Sequence, residues 1–110
     1  MPDELHANTC AIVMTTCESR ANAEAIGKAL VTQGLAACVQ MFPIDSIYKW
    51  RGAIEQAQEL MLFCKIKSED YAAVEAAIRA LHTYETPEIV EIAIEKGAPA
   101  YLQWIASVTR

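Results

Sequence analysis

Two short segments hold most of the side chains that could do chemistry. Tyr48-Lys49-Trp50-Arg51-Gly52 sets two large aromatics beside a glycine turn, and Tyr84-Glu85-Thr86-Pro87-Glu88 gathers a phenol, a hydroxyl and two carboxylates around a proline. Such groups at the ends of elements suit a cleft that receives a ligand. Glu59 and Lys65 add to this, because each interrupts a strand-like run that is otherwise half apolar. An isolated charge in a buried strand needs a partner or a ligand to offset its lost hydration. Trp50, Glu59, Lys65, Tyr84, Thr86 and Glu88 are therefore expected to share a cleft between subunits. For the aromatics, anchoring an interface is the competing explanation.

For nucleophilic catalysis the chain offers the thiol of Cys17 and the imidazole of His82, which would have to touch. Neither lies in a recognised catalytic motif, and no glycine-rich phosphate loop with its lysine is present. The expectation is a protein that is not an enzyme. His6 falls in residues 1–9, read as a flexible tail.

Four cysteines stand at 10, 17, 38 and 64, without the C-x-x-C spacing of zinc or redox motifs. Cys10, Cys38 and Cys64 fall in strand-like runs, where cysteine packs as a small hydrophobe. Thiolate and thioether are the ligands copper(I) prefers, yet Cys38, Cys64, Met14, Met41 and Met61 read as core filler. Cys17, at a strand–helix junction, is expected to be the exposed and reactive thiol. The acidic start of the chain lacks the basic residues of a secretory signal, so a reduced, cytoplasmic protein is expected. The net charge of −5 is spread along the chain, which excludes the concentrated basic face that nucleic acid requires. The apolar runs are too short to span a bilayer.

Periodicity supplies the frame for these residues in a single domain of 110 residues. Residues 10–16 form a short apolar run, a strand buried on both sides. Ser19 caps a helix carrying Ala23, Ile26, Ala29 and Leu30 as far as Gly34. Residues 35–50 turn strand-like, with Pro43 expected to mark a bulge or bend. After Gly52 the chain returns as residues 54–67, the second arm of a hairpin. Ser68-Glu69-Asp70 starts a helix with the stripe Tyr71, Val74, Ile78 and Leu81, and Pro87 ends it near His82. Residues 88–95 alternate as a fourth strand. Gly97 and Pro99 lead into a closing helix with Tyr101, Leu102, Trp104, Ile105 and Val108.

This order predicts an α+β fold of the ferredoxin-like split βαβ kind, an antiparallel sheet with its helices on one face and a C-terminal helix added. Both parities of the second strand are largely uncharged, with Ala37, Val39 and Met41 on one and Ala36, Cys38 and Phe42 on the other. Helices on one face leave a broad apolar surface bare, larger than soluble monomers expose. The hairpin also outreaches the strands beside it, leaving unpaired backbone that a neighbouring chain would satisfy. An oligomer follows.

The blocks Leu35-Ala36-Ala37-Cys38-Val39, Tyr48-Lys49-Trp50-Arg51-Gly52, Ile54-Glu55, Glu59, Lys65 and Tyr84-Glu85-Thr86-Pro87-Glu88-Ile89 resemble the CutA family of divalent-cation tolerance proteins. The ending Tyr101-Leu102-Gln103-Trp104-Ile105 is similar too, so the resemblance runs from about Cys10 to Arg110. It implies a ferredoxin-like subunit in a homotrimer, a cytoplasmic protein tied to tolerance of copper and other divalent metals, and no assigned catalysis. It also implies that His82 is a metal ligand, since a copper-binding member carries histidine there. That member's site is completed by a cysteine and a second histidine, and this chain has Thr15 and Leu81 at those positions. Cys17, two residues beyond Thr15, is the substitute ligand expected beside His82, for copper or another divalent cation. The alternative function is a trimeric signalling or scaffold module that binds a metabolite or a partner protein in clefts between subunits.

Overall fold

The structure, a computed structural model, describes residues 9–110, so His6 and all but the last residue of the expected tail lie outside it. The elements run β1 (Cys10–Cys17), α1 (Arg20–Thr32), β2 (Cys38–Trp50), β3 (Ala53–Lys67), a single 3-10 turn (Ser68–Asp70), α2 (Tyr71–Leu81), β4 (Ile89–Ala93) and α3 (Pro99–Val108). The four strands form one open sheet in the order β2-β3-β1-β4, with every neighbouring pair antiparallel. The sequence of elements is the one periodicity predicts.

Local chemistry explains the boundaries. Ser19 adopts an extended conformation before α1 and its side-chain oxygen accepts from the Asn22 N–H at 3.1 Å. The Asn22 amide then donates to the Leu81 carbonyl at 2.9 Å, closing the end of α2 from the neighbouring helix. Arg51 and Gly52 both take positive φ, 52° and 82°, between the paired residues Trp50 and Ala53. Their signs are those of a type I′ turn, whose twist matches that of the strands it joins.

Of the bulge or bend expected at Pro43, the bulge is absent. β2 and β3 stay in unbroken register from Cys38–Lys65 to Trp50–Ala53, with Pro43 opposite Leu60. The reason is position. β2 is an edge strand, and counting back from the hydrogen-bonded Trp50–Ala53 pair puts Pro43 at a site whose N–H would point outward. A missing donor costs no ladder bond there.

The main core lies between one sheet face and the helices α1 and α2. Val13, Leu62, Cys64 and Ile66 are fully buried in one cluster with Ile26, Leu30, Val74 and Ile78. The opposite parity carries Ile12, Met14, Phe42, Met61, Phe63, Val90 and Ile92, and Phe42, Val90 and Ile92 are 40%, 46% and 51% exposed. α1 and α2 share one face, and the added C-terminal helix α3 crosses to this second side. Its Leu102 and Ile105 cluster with Cys10, whose neighbour Ala11 faces the main core. α3 covers only one end of that face. β1 pairs with β3 only as far as Leu60, so residues 53–59 overhang with Ile47 and Ile54 each 72% exposed near the tip.

Candidate acidic cleft

The overhanging hairpin and the segment that leaves α2 enclose a cleft of about 800 Å³. Five of the six residues expected to share a site line it: Trp50, Glu59, Tyr84, Thr86 and Glu88. Lys65 does not. It lies six residues from Glu59 along β3, roughly 20 Å away at strand rise, and donates to the Tyr101 hydroxyl at 3.1 Å beneath α3. The two charges of β3 are separate features, and the strand's length keeps them apart.

Glu59 forms the base of the cleft. It is 9% exposed, and the Tyr84 hydroxyl donates to its Oε2 at 2.5 Å. Burial, followed by the bond to Glu59, holds the Tyr84 phenol well above its ordinary pKa, so it remains a donor. Sequence reasoning missed two of the acids on the walls, Glu18 and Asp45. Asp45 breaks the apolar run of β2 as Glu59 breaks that of β3, and that shared irregularity was the available signal. Lining carboxylates number five, against a single lysine, Lys49. At the mouth, the Arg51 guanidinium lies 5.3 Å over the Trp50 ring and pairs with Glu85 at 2.8 Å.

His82 ends α2 beside this cleft. Its N–H still bonds to the Ile78 carbonyl at 2.9 Å, while its backbone has turned extended. The ring is used twice. Nε2 donates to the Thr16 carbonyl at 2.9 Å, which fixes the tautomer, and Nδ1 accepts from the Tyr84 N–H at 3.1 Å. Burial is the largest influence on this imidazole and lowers its pKa below the ordinary 6.5; the Thr16 carbonyl and the carboxylates of Glu18 and Glu59 pull the other way. Protonating Nδ1 would set two donors face to face. The unfolded chain therefore takes the proton first as pH falls through 6.5. The stability carried by the neutral ring is complete above that pH and is lost below it, until the folded protein also protonates. An NMR titration of His82 is expected to give a midpoint below 6.5, with Tyr84 amide exchange accelerating over the same range.

Cys17 lies 4.0 Å from His82 Nε2. The expectation of an exposed, reactive thiol is corrected, because Cys17 is the last residue of β1 and fully buried against the main core. Burial, then the nearby charge of Glu59, pushes its pKa up to about 11. The facing imidazole nitrogen carries a proton already committed to Thr16, so it cannot act as a base toward the sulfur. The same geometry tests a copper site. Neither ring nitrogen has a free lone pair, the thiol resists deprotonation, and among the described residues no three His, Cys, Asp or Glu side chains converge. Thr15 is fully buried and Leu81 is 41% exposed at the end of α2. These residues do not fit a resident metal centre in this arrangement.

Fold and cleft together define a class: a small α+β protein with an open antiparallel sheet and an acid-lined pocket. The chain belongs to the CutA1 divalent ion tolerance protein family, which it matches over residues 11–108. It is 43% identical over 93 residues to the divalent-cation tolerance protein CutA of Archaeoglobus fulgidus, covering 84% of this chain and 91% of that one. The solved structure of the periplasmic divalent cation tolerance protein CutA from the same organism shares the fold with a TM-score of 0.88 at 40% identity, over 90% of this chain and 97% of that chain. The structure of CutA from Xylella fastidiosa gives 0.90 at 35% identity, over 93% and 99%.

The family is named for tolerance of ions, not for a reaction. The expectation of a cytoplasmic protein is corrected by the periplasmic description of the Archaeoglobus fulgidus relative. Three of the four free cysteines are buried as packing groups and report nothing about compartment. No helix among the described residues is long and apolar enough to cross a membrane.

Proposed function

We propose that this chain serves divalent-cation tolerance without catalysis, as a homotrimer of ferredoxin-like subunits whose acidic clefts hold cations weakly. The observation that carries this reading is the cleft, where a buried Glu59 and four further carboxylates, one of them (Glu85) paired with Arg51 at the mouth, stand against one lysine. Family membership supplies the ion class. The bare sheet face supports the assembly, since its exposed Phe42, Val90 and Ile92 are the surface a second and third copy would cover. Copper is one of the cations such a cleft would take, through hydrated contact with carboxylates and not through His82 and Cys17.

Calorimetric titration of copper(II), zinc and magnesium into the protein at pH 7 tests this. Expected affinities are on the order of 10⁻⁴–10⁻³ M, as for open oxygen-ligand sites, and they should weaken with added salt. Glu59→Gln should reduce binding, while His82→Gln and Cys17→Ser should leave it unchanged. Tight copper binding that vanishes in His82→Gln would instead put the metal on the imidazole.

A further inference from the structure

We propose that Arg110 is a latch and α3 the cover it holds. The strap that follows α3 ties this helix to the main body, and its release lets α3 lift from the second sheet face while the rest of the fold stays closed.

The cover is held weakly by its own contacts. α3 has ten residues and no side-chain cap at Ala98, a length at which an isolated helix is marginal. Leu102 and Ile105 are its buried residues, in a small cluster with Cys10, while Tyr101, Trp104 and Val108 stay exposed. Near its start, Lys65 donates to the Tyr101 hydroxyl at 3.1 Å.

At the far end, three segments of the main body converge on one residue. The Thr109 hydroxyl donates to the Ile105 carbonyl at 2.8 Å and closes the helix, and the backbone then runs extended into Arg110. The Arg110 N–H donates to the Gly34 carbonyl at 2.8 Å, and Lys67 Nζ donates to the Arg110 main-chain oxygen at 2.6 Å. Arg110 Nη2 donates to Asp70 Oδ1 at 3.4 Å. Gly34 follows α1, Lys67 ends β3 and Asp70 precedes α2. A helix on the second face is thereby fastened to the elements that carry the helices of the first.

The seat is built for this residue. Gly34 has a φ of +72°, and a Cβ there would come within 3.3 Å of the Arg110 nitrogen, so glycine is what admits the strap. Asp70 is 8% exposed, and its Oδ2 is buried with no hydrogen-bond partner among the described residues. Arg110 is the cation paired with it there. A buried carboxylate that loses its cation is strongly disfavoured, which biases the latch shut. The guanidinium is itself exposed, so dissolved salt reaches the pair and weakens it. With α3 raised, Cys10 and Ile94 would join Ile12 and Ile92 on the bare face. The latch thus sets how much apolar surface the sheet presents.

The cysteines supply the readout. Cys10 lies under α3, whereas Cys17 and Cys64 are buried in the main core. The test is native-state labelling of the full chain with iodoacetamide, followed thiol by thiol by mass spectrometry, with α3 amide exchange measured in parallel. In the unsubstituted protein Cys10 is expected to label ahead of Cys17 and Cys64, and α3 amides to exchange in step with it. Arg110→Ala should accelerate both about tenfold, the weight of a charge-assisted bond to a buried carboxylate, and leave Cys17 and Cys64 unchanged. Asp70→Asn should do the same. The double variant should be no faster than either single one, because each removes the same pair. Added salt should bring wild-type Cys10 labelling toward the rate of the variants. A common rate for all three buried thiols would mean that α3 opens only with the whole fold, which overturns the inference. An Arg110→Ala protein whose Cys10 labels no faster than that of the wild type overturns it too.

Discussion

Phe63→Glu is expected to take the proposed trimer apart into folded single subunits. Phe63 sits midway along β3 on the face α3 leaves bare, opposite Met14 on β1 and Gln40 on β2, and meets Phe42 edge-on at 5.1 Å. In one chain the ring is only half-buried, so a glutamate there keeps water contact and the main core on the other face is untouched. In an assembly closed over this face the same carboxylate would be desolvated without a partner, at a cost of several kcal/mol per subunit. Three such charges near one axis would also repel. Sedimentation at micromolar concentration should therefore fall from three times 12.1 kDa to 12.1 kDa, with the circular dichroism of the subunit unchanged. Arg79→Ala, on the exposed side of α2, should leave the larger mass intact. A wild-type protein that already sediments as one subunit would remove the trimer from the functional proposal.

The contrast between the two sheet faces was legible in sequence because alternation is a local property. Ala37, Val39 and Met41 against Cys38 and Phe42 show that neither parity of β2 is polar, whatever the strand packs on. The order of elements was legible for the same reason, and so was the hairpin overhang, which follows from strand lengths. What failed depended on where an element lies in the sheet. Pro43 reads as a bulge or bend, and the bulge falls away only once β2 is known to be an edge strand. The face that α3 takes has no signal in its own sequence and is settled only when Cys10 is seen packing away from Ala11. Cys17 reads as a junction residue until β1 is seen to carry it under the helices, where its pKa climbs to about 11.

The cleft divides similarly. Trp50, Tyr84, Thr86 and Glu88 stand close to breakers, Gly52 and Pro87, and so declared themselves as end-of-element groups. Glu59 and Lys65 looked alike, two charges in one strand, and only the register separates them. Glu59 falls in the overhang beneath Tyr84, whereas Lys65 pairs with Cys38 under α3 and finds Tyr101. His82 was legible as a helix end but not as a ring with both nitrogens spent, because its partners, Thr16 and Tyr84, belong to tertiary geometry and to a turn.

Leu62→Ala should destabilise the fold by about 2–5 kcal/mol, the range for emptying a leucine site in a packed core. Leu62 is fully buried on β3, flanked by Thr15 of β1 and Met41 of β2, in the cluster that joins the sheet to α1 and α2. Urea unfolding at fixed subunit concentration measures this, since assembly would otherwise shift the midpoint by mass action. Leu62→Met, which keeps the volume, should cost less than about 1.5 kcal/mol. The neighbour makes the site more informative. Thr15 is fully buried and its hydroxyl oxygen has no hydrogen-bond partner among the described residues. Thr15→Val should therefore be neutral or stabilising in the intact protein, because it removes an unsatisfied polar group without changing shape. In the Leu62→Ala background the sign should move. The space beside the hydroxyl can then admit a water that the Thr15 side chain would hold, and Thr15→Val would dry that cavity again. The two substitutions are thus expected to couple by about 0.5 kcal/mol or more, destabilising in the double variant beyond the sum of the singles. Strict additivity would mean that the site collapses around the missing side chain and that Thr15 never meets water.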